Sequence, residues 1–164
     1  MLHKYFKMVE GPIKYEGKDS KNPLAFRYYD KNRVVNGKTM AEHLRFAVAY
    51  WHTMMGSGKD IFGEAAFSRQ WHEGNDPIDK AKNTMDAAFE FFEKLDVDYY
   101  CFHDRDIAPE GDTFSDSCKN LHIIVDHAKQ LQKETGKKLL WGTANLFGNK
   151  IFAHGAGKIG RAHV

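Results

Sequence analysis

The chain has 164 residues, of which 42% are hydrophobic and 28% are charged, and its net charge is +2. This length and composition are typical of one globular domain and exclude a disordered, collagen-like or coiled-coil protein. The balanced charge argues against nucleic-acid binding, and the lack of a long apolar run argues against a signal peptide or a membrane span. Cys101 and Cys118 lie in apolar stretches, so we expect a reduced, cytoplasmic protein.

Residues 1–38 are rich in turn formers and show neither a helical nor a strand period. A segment of this length without regular structure is unusual inside a compact domain. We therefore expect an irregular N-terminal extension that wraps the body of the protein or docks onto another subunit. Its expected anchors are the aromatic residues Phe6, Tyr15, Phe26, Tyr28 and Tyr29.

The sequence predicts that a helix begins at Thr39, because residues 39–42 have the Thr-x-x-Glu form of a capping box. The sequence predicts a short helix there and then a buried strand over the apolar run at residues 46–51. The glycine-rich loop at residues 56–63 lacks the Gly-Lys-Ser or Gly-Lys-Thr ending of a phosphate loop. A nucleotide site is therefore not expected in this loop.

The clearest predicted helix is capped by Asp76 and has Pro77 at its first position, where a missing N–H costs nothing. Its apolar residues recur at spacings of 4, 3, 4 and 3, and we interpret this stripe as core packing. The stripe consists of Ala81, Met85, Ala88, Phe92 and Leu95. A short strand is predicted over residues 97–102.

A second long helix is predicted from about residue 115 to residue 135, with Gly136 as its C-cap. Its buried face is marked by Leu121, Val125 and Ala128, and residues 139–141 form a third predicted strand. This alternation is typical of βα units with a parallel sheet, whose strands we expect to be buried on both faces. In such folds the chemistry lies at the carboxyl ends of the strands.

The polar residues His103 and Asp106 stand at one of these predicted strand ends. A carboxylate three residues after a histidine can fix the ring's tautomer and raise the basicity of its other nitrogen. A structural histidine beside a solvated acidic turn fits the same pattern. No set of metal ligands is evident, since His122 and His127 are five residues apart rather than four. Aromatic residues near the strand ends fit either a sugar pocket or ordinary core.

Four segments, in this order, resemble the D-xylose isomerase family of the longer, class II type. They are NPLAFRYY at residues 22–29, FAVAYWHT at 46–53 followed by GKDIFG at 58–63, YCFHDRDIAPEG at 100–111, and KKLLWGTANLF at 137–147. The resemblance covers about residues 3–155. It implies an α/β fold made of the first three or so βα units of a (β/α)8 TIM barrel, preceded by the irregular N-terminal extension.

The resemblance also implies an activity, which is the interconversion of D-xylose and D-xylulose by a metal-assisted hydride shift, with D-glucose and D-fructose as a side reaction. The family is normally a homotetramer and uses two divalent cations, Mg2+, Mn2+ or Co2+, as Lewis acids. His103 would act in ring opening and Asp106 would be its hydrogen-bonding partner. The implied pocket residues are Trp51, Trp141, Thr143 and Phe147, with Phe62 reaching into a neighbouring subunit's site.

The chain departs from the family pattern after its third strand. The family's metal ligands lie on later strands, so we expect no metal site here, and a complete barrel needs ~250 residues. We therefore expect a partial barrel over residues 39–156 and an N-terminal fragment that is inactive by itself. Residues 157–164 do not resemble the family and read partly like a translated sequencing adapter, so we interpret them as a non-native tail.

Two alternatives stay open at this point. The chain could be a complete small α/β binding or interaction module, although its sheet would then have two exposed edges. It could instead belong to another metal-dependent barrel of sugar-isomerase or endonuclease type. Strand-end histidines generally ligate the metal in those proteins, so metal binding by His103 would favour this reading.

Overall fold

The computed structural model describes residues 4–59 and 61–146, which contain five strands and five helices. In chain order these are β1 (Val34–Val35), β2 (Lys38–Thr39), α1 (Met40–His43), β3 (Ala47–Ala49), α2 (Tyr50–Thr53), α3 (Pro77–Leu95), β4 (Tyr99–His103), α4 (Asp104–Ile107), α5 (Phe114–Thr135) and β5 (Lys138–Thr143). A 3-10 turn at Gln70–His72 precedes α3. Within these residues no helix has the length and apolar character needed to cross a membrane.

The central feature is a parallel sheet in which β4 lies between β3 and β5. The predicted α/β class with a parallel sheet is therefore confirmed. The strand boundaries differ from the prediction, because β4 begins at Tyr99 and includes His103, and β5 continues to Thr143.

The strand predicted over residues 46–51 is shorter than expected. β3 ends at Ala49, and α2 begins with the buried Tyr50, so Trp51 lies in a helical turn instead of at a strand end. The reason is that a short apolar run reads alike as a strand and as a buried helical segment.

The two long helices, α3 and α5, supply most of the core. The Asp76 carboxylate accepts a hydrogen bond from the Asp79 N–H at 2.8 Å, and Gly136 ends α5 with a φ of 74°, so both predicted caps are confirmed. The predicted α3 stripe is buried or packed against the core, and of the residues predicted for α5, Ala128 is buried and Leu121 and Val125 are partly buried. The largest fully buried apolar side chains include Tyr50, Met85, Phe89, Phe92, Tyr100 and Ile124.

β5 contradicts the expectation that the parallel strands are buried on both faces. All six of its residues are exposed, including Leu140 at 47% and Trp141 at 39%. The physical reason is that, among the described elements, β5 packs extensively only against β4 and no helix covers its side chains. Its edge position alone is not enough, since β3 is also an edge strand and its Val48 is buried.

The N-terminal extension contains more regular structure than predicted. Asn36 and Gly37 adopt left-handed φ values of 48° and 79°, and this Asn-Gly turn joins β1 and β2 into an antiparallel hairpin. The hairpin spans position 38, where we expected the extension to end. The capping box at Thr39 is present as predicted, with reciprocal bonds between Thr39 and Glu42.

The start of the extension is held on α3 by Glu90, whose side chain is buried. Its carboxylate accepts hydrogen bonds from the backbone N–H groups of Lys4, Tyr5 and Phe6 at 2.8–2.9 Å. The Phe6 ring packs on Trp71 with a centroid distance of 5.6 Å, as expected of an anchor. Tyr28, also expected to be an anchor, is 86% exposed and does not serve as one in this structure.

Candidate active site at the strand ends

His103 and Asp106 form a pair at the carboxyl end of β4. The Asp106 Oδ2 atom accepts a hydrogen bond from the His103 backbone N–H at 2.7 Å and lies 3.0 Å from the ring Nδ1. Because a carboxylate can only accept, this contact assigns the proton to Nδ1 and leaves the lone pair on Nε2. The spacing of three residues therefore produces the oriented histidine that the sequence suggested.

Two tryptophan rings surround this histidine. The Trp51 centroid lies 4.7 Å from the His103 ring, and the Trp141 centroid lies 5.8 Å from it. The two indoles are 5.5 Å apart. The structure thus brings together three sequence-predicted site residues from α2, β4 and β5, although Trp51 arrives from a helix and not from a strand.

A register irregularity decides which residues of β5 face this cluster. Tyr100 pairs with Leu139, but Cys101 pairs with Trp141, so Leu140 is an extra residue in the ladder. Beyond this bulge Thr143 pairs with His103. Since neighbouring parallel residues point to the same side, the bulge places Trp141 and Thr143 on the face of the sheet that carries His103.

Gly142 allows the close approach of β4 and β5 at this point. A Cβ atom added to Gly142 would lie 2.9 Å from Cε2 of the Phe102 ring, which is closer than real side chains come. The absence of a side chain at Gly142 therefore leaves room for the Phe102 ring beside β5.

Phe62, another predicted pocket residue, is not part of this cluster. Phe62 lies in the loop before α3 and is 90% exposed. Trp71 is a core residue packed on Tyr5 and Phe6. Phe147 lies outside the described residues.

Two protonatable groups near Asp106 are held in their neutral forms. Burial raises the pKa of the Tyr50 hydroxyl well above its usual value, and the negative charge of Asp106 adds to this effect. Burial also raises the pKa of the Cys101 thiol, again with a smaller contribution from Asp106. A thiol with a raised pKa is a poor nucleophile, so Cys101 is a structural residue.

The described residues offer no metal centre, because none of their histidine, cysteine, aspartate and glutamate side chains form a group of three or more that could hold an ion. A cavity of about 1150 Å³ lies at the opposite, amino ends of the strands, between the extension and residues such as Ala47 and Tyr99.

The sequence did not predict the hydrogen bonds that hold the short helix carrying Trp51. The Met54 carbonyl, which follows α2, accepts hydrogen bonds from Trp71 Nε1 at 3.1 Å and His72 Nε2 at 2.8 Å. These bonds fix the end of the short helix that carries Trp51. A backbone carbonyl has no signature in the sequence, and only the adjacent indole and imidazole donors hinted at such a contact.

Comparison with known proteins gives the same family as the motifs. The chain is 54% identical to the xylose isomerase of Thermoanaerobacterium thermosaccharolyticum over 155 residues, which are 94% of this chain and 35% of that protein. The resemblance to xylose isomerase is confirmed. The xylose isomerase of Thermotoga maritima is 52% identical over 144 residues, which are 88% of this chain and 32% of that protein.

A third xylose isomerase, from Mannheimia succiniciproducens, is 53% identical over 152 residues, 93% of this chain and 35% of that protein. The chain therefore spans about a third of the length of the curated xylose isomerases it matches. This coverage agrees with the expectation of a portion of such an enzyme. No family model matches the chain.

Proposed function

We propose that this chain supplies the N-terminal part of an aldose-ketose isomerase that interconverts D-xylose and D-xylulose, with D-glucose and D-fructose as a side reaction. The observation that carries the proposal is the identity of about half of its residues to xylose isomerases along 94% of its length. In this proposal β3, β4 and β5 are the first three strands of a (β/α)8 barrel, and the isolated chain is inactive.

His103 is the proposed group that moves a proton during ring opening. The Nδ1–H is engaged with Asp106 at 3.0 Å, so Nε2 is the nitrogen available to the sugar. Nε2 can take the proton of the anomeric hydroxyl as the C1–O1 bond becomes a carbonyl and the bond from C1 to the ring oxygen breaks, and the imidazolium can then give that proton to the released ring oxygen. Asp106 holds the ring orientation and stabilises the imidazolium that forms transiently.

The proposed walls of the sugar site are the two indoles and Thr143. Trp51 and Trp141 offer flat apolar surfaces to the C–H faces of a sugar, and the Thr143 hydroxyl offers a donor and an acceptor to a sugar hydroxyl. Phe147 extends this wall in the proposal. Phe62, 90% exposed, would enter the site of a neighbouring subunit in a homotetramer.

The hydride shift of this reaction class is assisted by two divalent cations, Mg2+, Mn2+ or Co2+, which act as Lewis acids toward the sugar oxygens. The described residues do not fit such ions, since they contain no group of three ligands. The ligands are therefore proposed to come from the part of the parent enzyme that corresponds to the other two thirds of the relatives. A cytoplasmic location is part of the same proposal.

A chimera tests this function directly. The matched part of this chain is joined to the remainder of the Thermoanaerobacterium thermosaccharolyticum xylose isomerase, replacing that enzyme's own corresponding segment. We expect the chimera to convert D-xylose to D-xylulose when Mg2+, Mn2+ or Co2+ is added. The 164-residue chain alone should show no conversion under the same conditions.

The unmodified relative serves as the control for the assay and for assembly. A chimera that folds and assembles like the relative but does not turn over D-xylose would contradict the proposal. Metal-dependent conversion by the chain alone would also contradict it, because the described residues would then have to hold the metals themselves.

A further inference from the structure

The carboxylate of Asp104 joins the ends of β4 and β5. Its Oδ1 atom accepts a hydrogen bond from the Asn145 backbone N–H at 2.8 Å. The same oxygen accepts from the Arg105 backbone N–H at 2.8 Å. Asn145 is two residues beyond the end of β5 and 41 residues from Asp104 along the chain, so the first bond connects two separate strand ends.

Sequence proximity accounts for the Arg105 bond but not for the Asn145 bond. Asp104 is the first residue of α4 and Arg105 follows it directly, so the bond between them is local. Asn145 belongs to no helix. The hydrogen bond from its N–H instead extends the connection between β4 and β5 beyond Thr143, which is the last residue of the β4–β5 ladder.

This connection matters because β5 is the exposed edge strand of the described sheet. The end of an edge strand frays unless something beyond it is held. Thr143 lies opposite His103 at this end, and it is the β5 residue nearest to the Asp104–Asn145 bond. The orientation of Thr143 toward His103 therefore depends on what fixes the chain that follows it.

We propose that Asp104 is a positioning residue of the sugar site, holding the Asn145 N–H so that Thr143 keeps its place opposite His103. The inference rests on the proposed function, because Thr143 matters only if a sugar binds there. Asp104 itself acts through the backbone of the segment after β5 and makes no contact with the sugar. The Arg105 Nε lies 3.8 Å from Asp104 Oδ2, which is too far for a hydrogen bond, so the two backbone N–H groups are the donors that hold this carboxylate.

Hydrogen exchange in the 164-residue chain tests the bond itself. In Asp104→Ala the Asn145 amide should exchange at least about tenfold faster, because its acceptor is gone. In Asp104→Asn it should remain protected, since the side-chain amide oxygen still accepts. Asp126→Ala, which removes an exposed carboxylate paired with Lys129 on α5, is the matched control and should change nothing at Asn145. Unchanged exchange in Asp104→Ala overturns the proposal.

Kinetics of the chimera described above test the consequence for the site. Asp104→Ala should raise the KM for D-xylose about tenfold while kcat stays within about twofold, because a displaced Thr143 weakens binding of substrate and transition state alike. Asp104→Asn should restore most of the KM. Lower kcat per mole of total protein with an unchanged KM would mean that Asp104 only supports folding, and this result overturns the proposal.

The two proposals fail in different ways. A wild-type chimera that folds and assembles but is inactive contradicts the isomerase function and with it the role of Asp104 at a sugar site, and the Asn145 exchange then tests only whether Asp104 holds the segment after β5. An active chimera in which Asp104→Ala changes neither KM nor the exchange rate contradicts the positioning role and leaves the isomerase function standing.

Discussion

β4 and β5 are neighbouring strands of one sheet with similar apolar sequences, yet their surroundings differ. Tyr100 in β4 is buried beneath α3 and α5, where its ring lies 5.2 Å from both Phe89 and Phe92. In β5, by contrast, every residue is exposed. The difference teaches that burial follows from the neighbours a strand has, not from its own apolar content.

The same difference divides the candidate site. β4 supplies the His103–Asp106 pair, which is fixed by two hydrogen bonds within four residues of chain. β5 supplies the walls Trp141 and Thr143, whose placement depends on a bulge and on contacts beyond the strand. Substitutions should therefore affect stability on the helix-covered side of the sheet and sugar binding on the β5 side.

The largest expected effect is on the helix-covered side, at Phe92. This fully buried ring stacks on Tyr100, and Phe92→Ala should lower the free energy of unfolding by about 3–5 kcal/mol, because it leaves a cavity in a closed core. Leu140→Ala in β5 is the matched control and should cost less than about 1 kcal/mol. Urea unfolding of the 164-residue chain measures both values. Equal losses of unfolding free energy in the two variants would contradict the difference in burial between the helix-covered side of the sheet and β5.

The next largest effect on the free energy of unfolding is expected at alkaline pH, at the buried Tyr100 of β4. Burial raises the pKa of Tyr100 to about 12, against about 10 in the unfolded chain. The unfolded state thus loses this proton first, so stability falls as pH rises from about 10 to 12, by up to about 3 kcal/mol. Tyr100→Phe should show a smaller fall across this range in unfolding experiments. Parallel pH profiles for wild type and variant would show that Tyr100 is not the group responsible.

A smaller effect is expected where β4 and β5 meet, at Gly142. In Gly142→Ala the new Cβ would lie 2.9 Å from the Phe102 ring, so the ring or the strand must shift at a cost of about 1–3 kcal/mol. Gly63→Ala is the control, because among the described residues no heavy atom other than those of Gly63 and its two chain neighbours lies within 4 Å of the added Cβ. Thermal unfolding should show the loss only for Gly142→Ala. A loss of the same size in Gly63→Ala would point to a general glycine effect instead of the Phe102 contact.

The smallest free-energy change is expected at Trp141 in β5. Because Trp141 is 39% exposed, Trp141→Phe should change stability by less than about 1 kcal/mol. In the active chimera it should raise the ratio of kcat/KM for D-glucose to that for D-xylose by about three- to tenfold, since a smaller wall leaves room for the longer sugar. An unchanged ratio would place Trp141 outside the sugar-binding wall.

Local signals in the sequence predicted the two long helices, α3 and α5, well. Asp76, Pro77 and Gly136 stop or start a helix through bonds and φ values within a few residues, so their effect can be read without knowing the fold. The end of β3 at Ala49 and the exposure of β5 were predicted wrongly. Both depend on contacts with distant parts of the chain, which a local pattern does not contain.

The candidate site likewise combines features that follow from local sequence with features that depend on distant contacts. The His103–Asp106 pair was predictable because its geometry follows from a spacing of three residues after a strand. The Leu140 bulge and the bond from Asn145 to Asp104 were not, since each joins residues about 40 positions apart. The family resemblance suggested the proposed roles of these residues, while the structure shows the contacts that hold them.

The most direct test of the account is the His103→Gln substitution in the chimera, with isomerase activity and metal binding measured on the same samples. We expect kcat/KM for D-xylose to fall by about 10²–10⁴-fold, because the proton-transferring group at the end of β4 is lost. Binding of Mg2+ or Mn2+ should be nearly unchanged, since His103 is paired with Asp106 and is not a ligand in this account. Full activity, or a large loss of metal affinity, would contradict it.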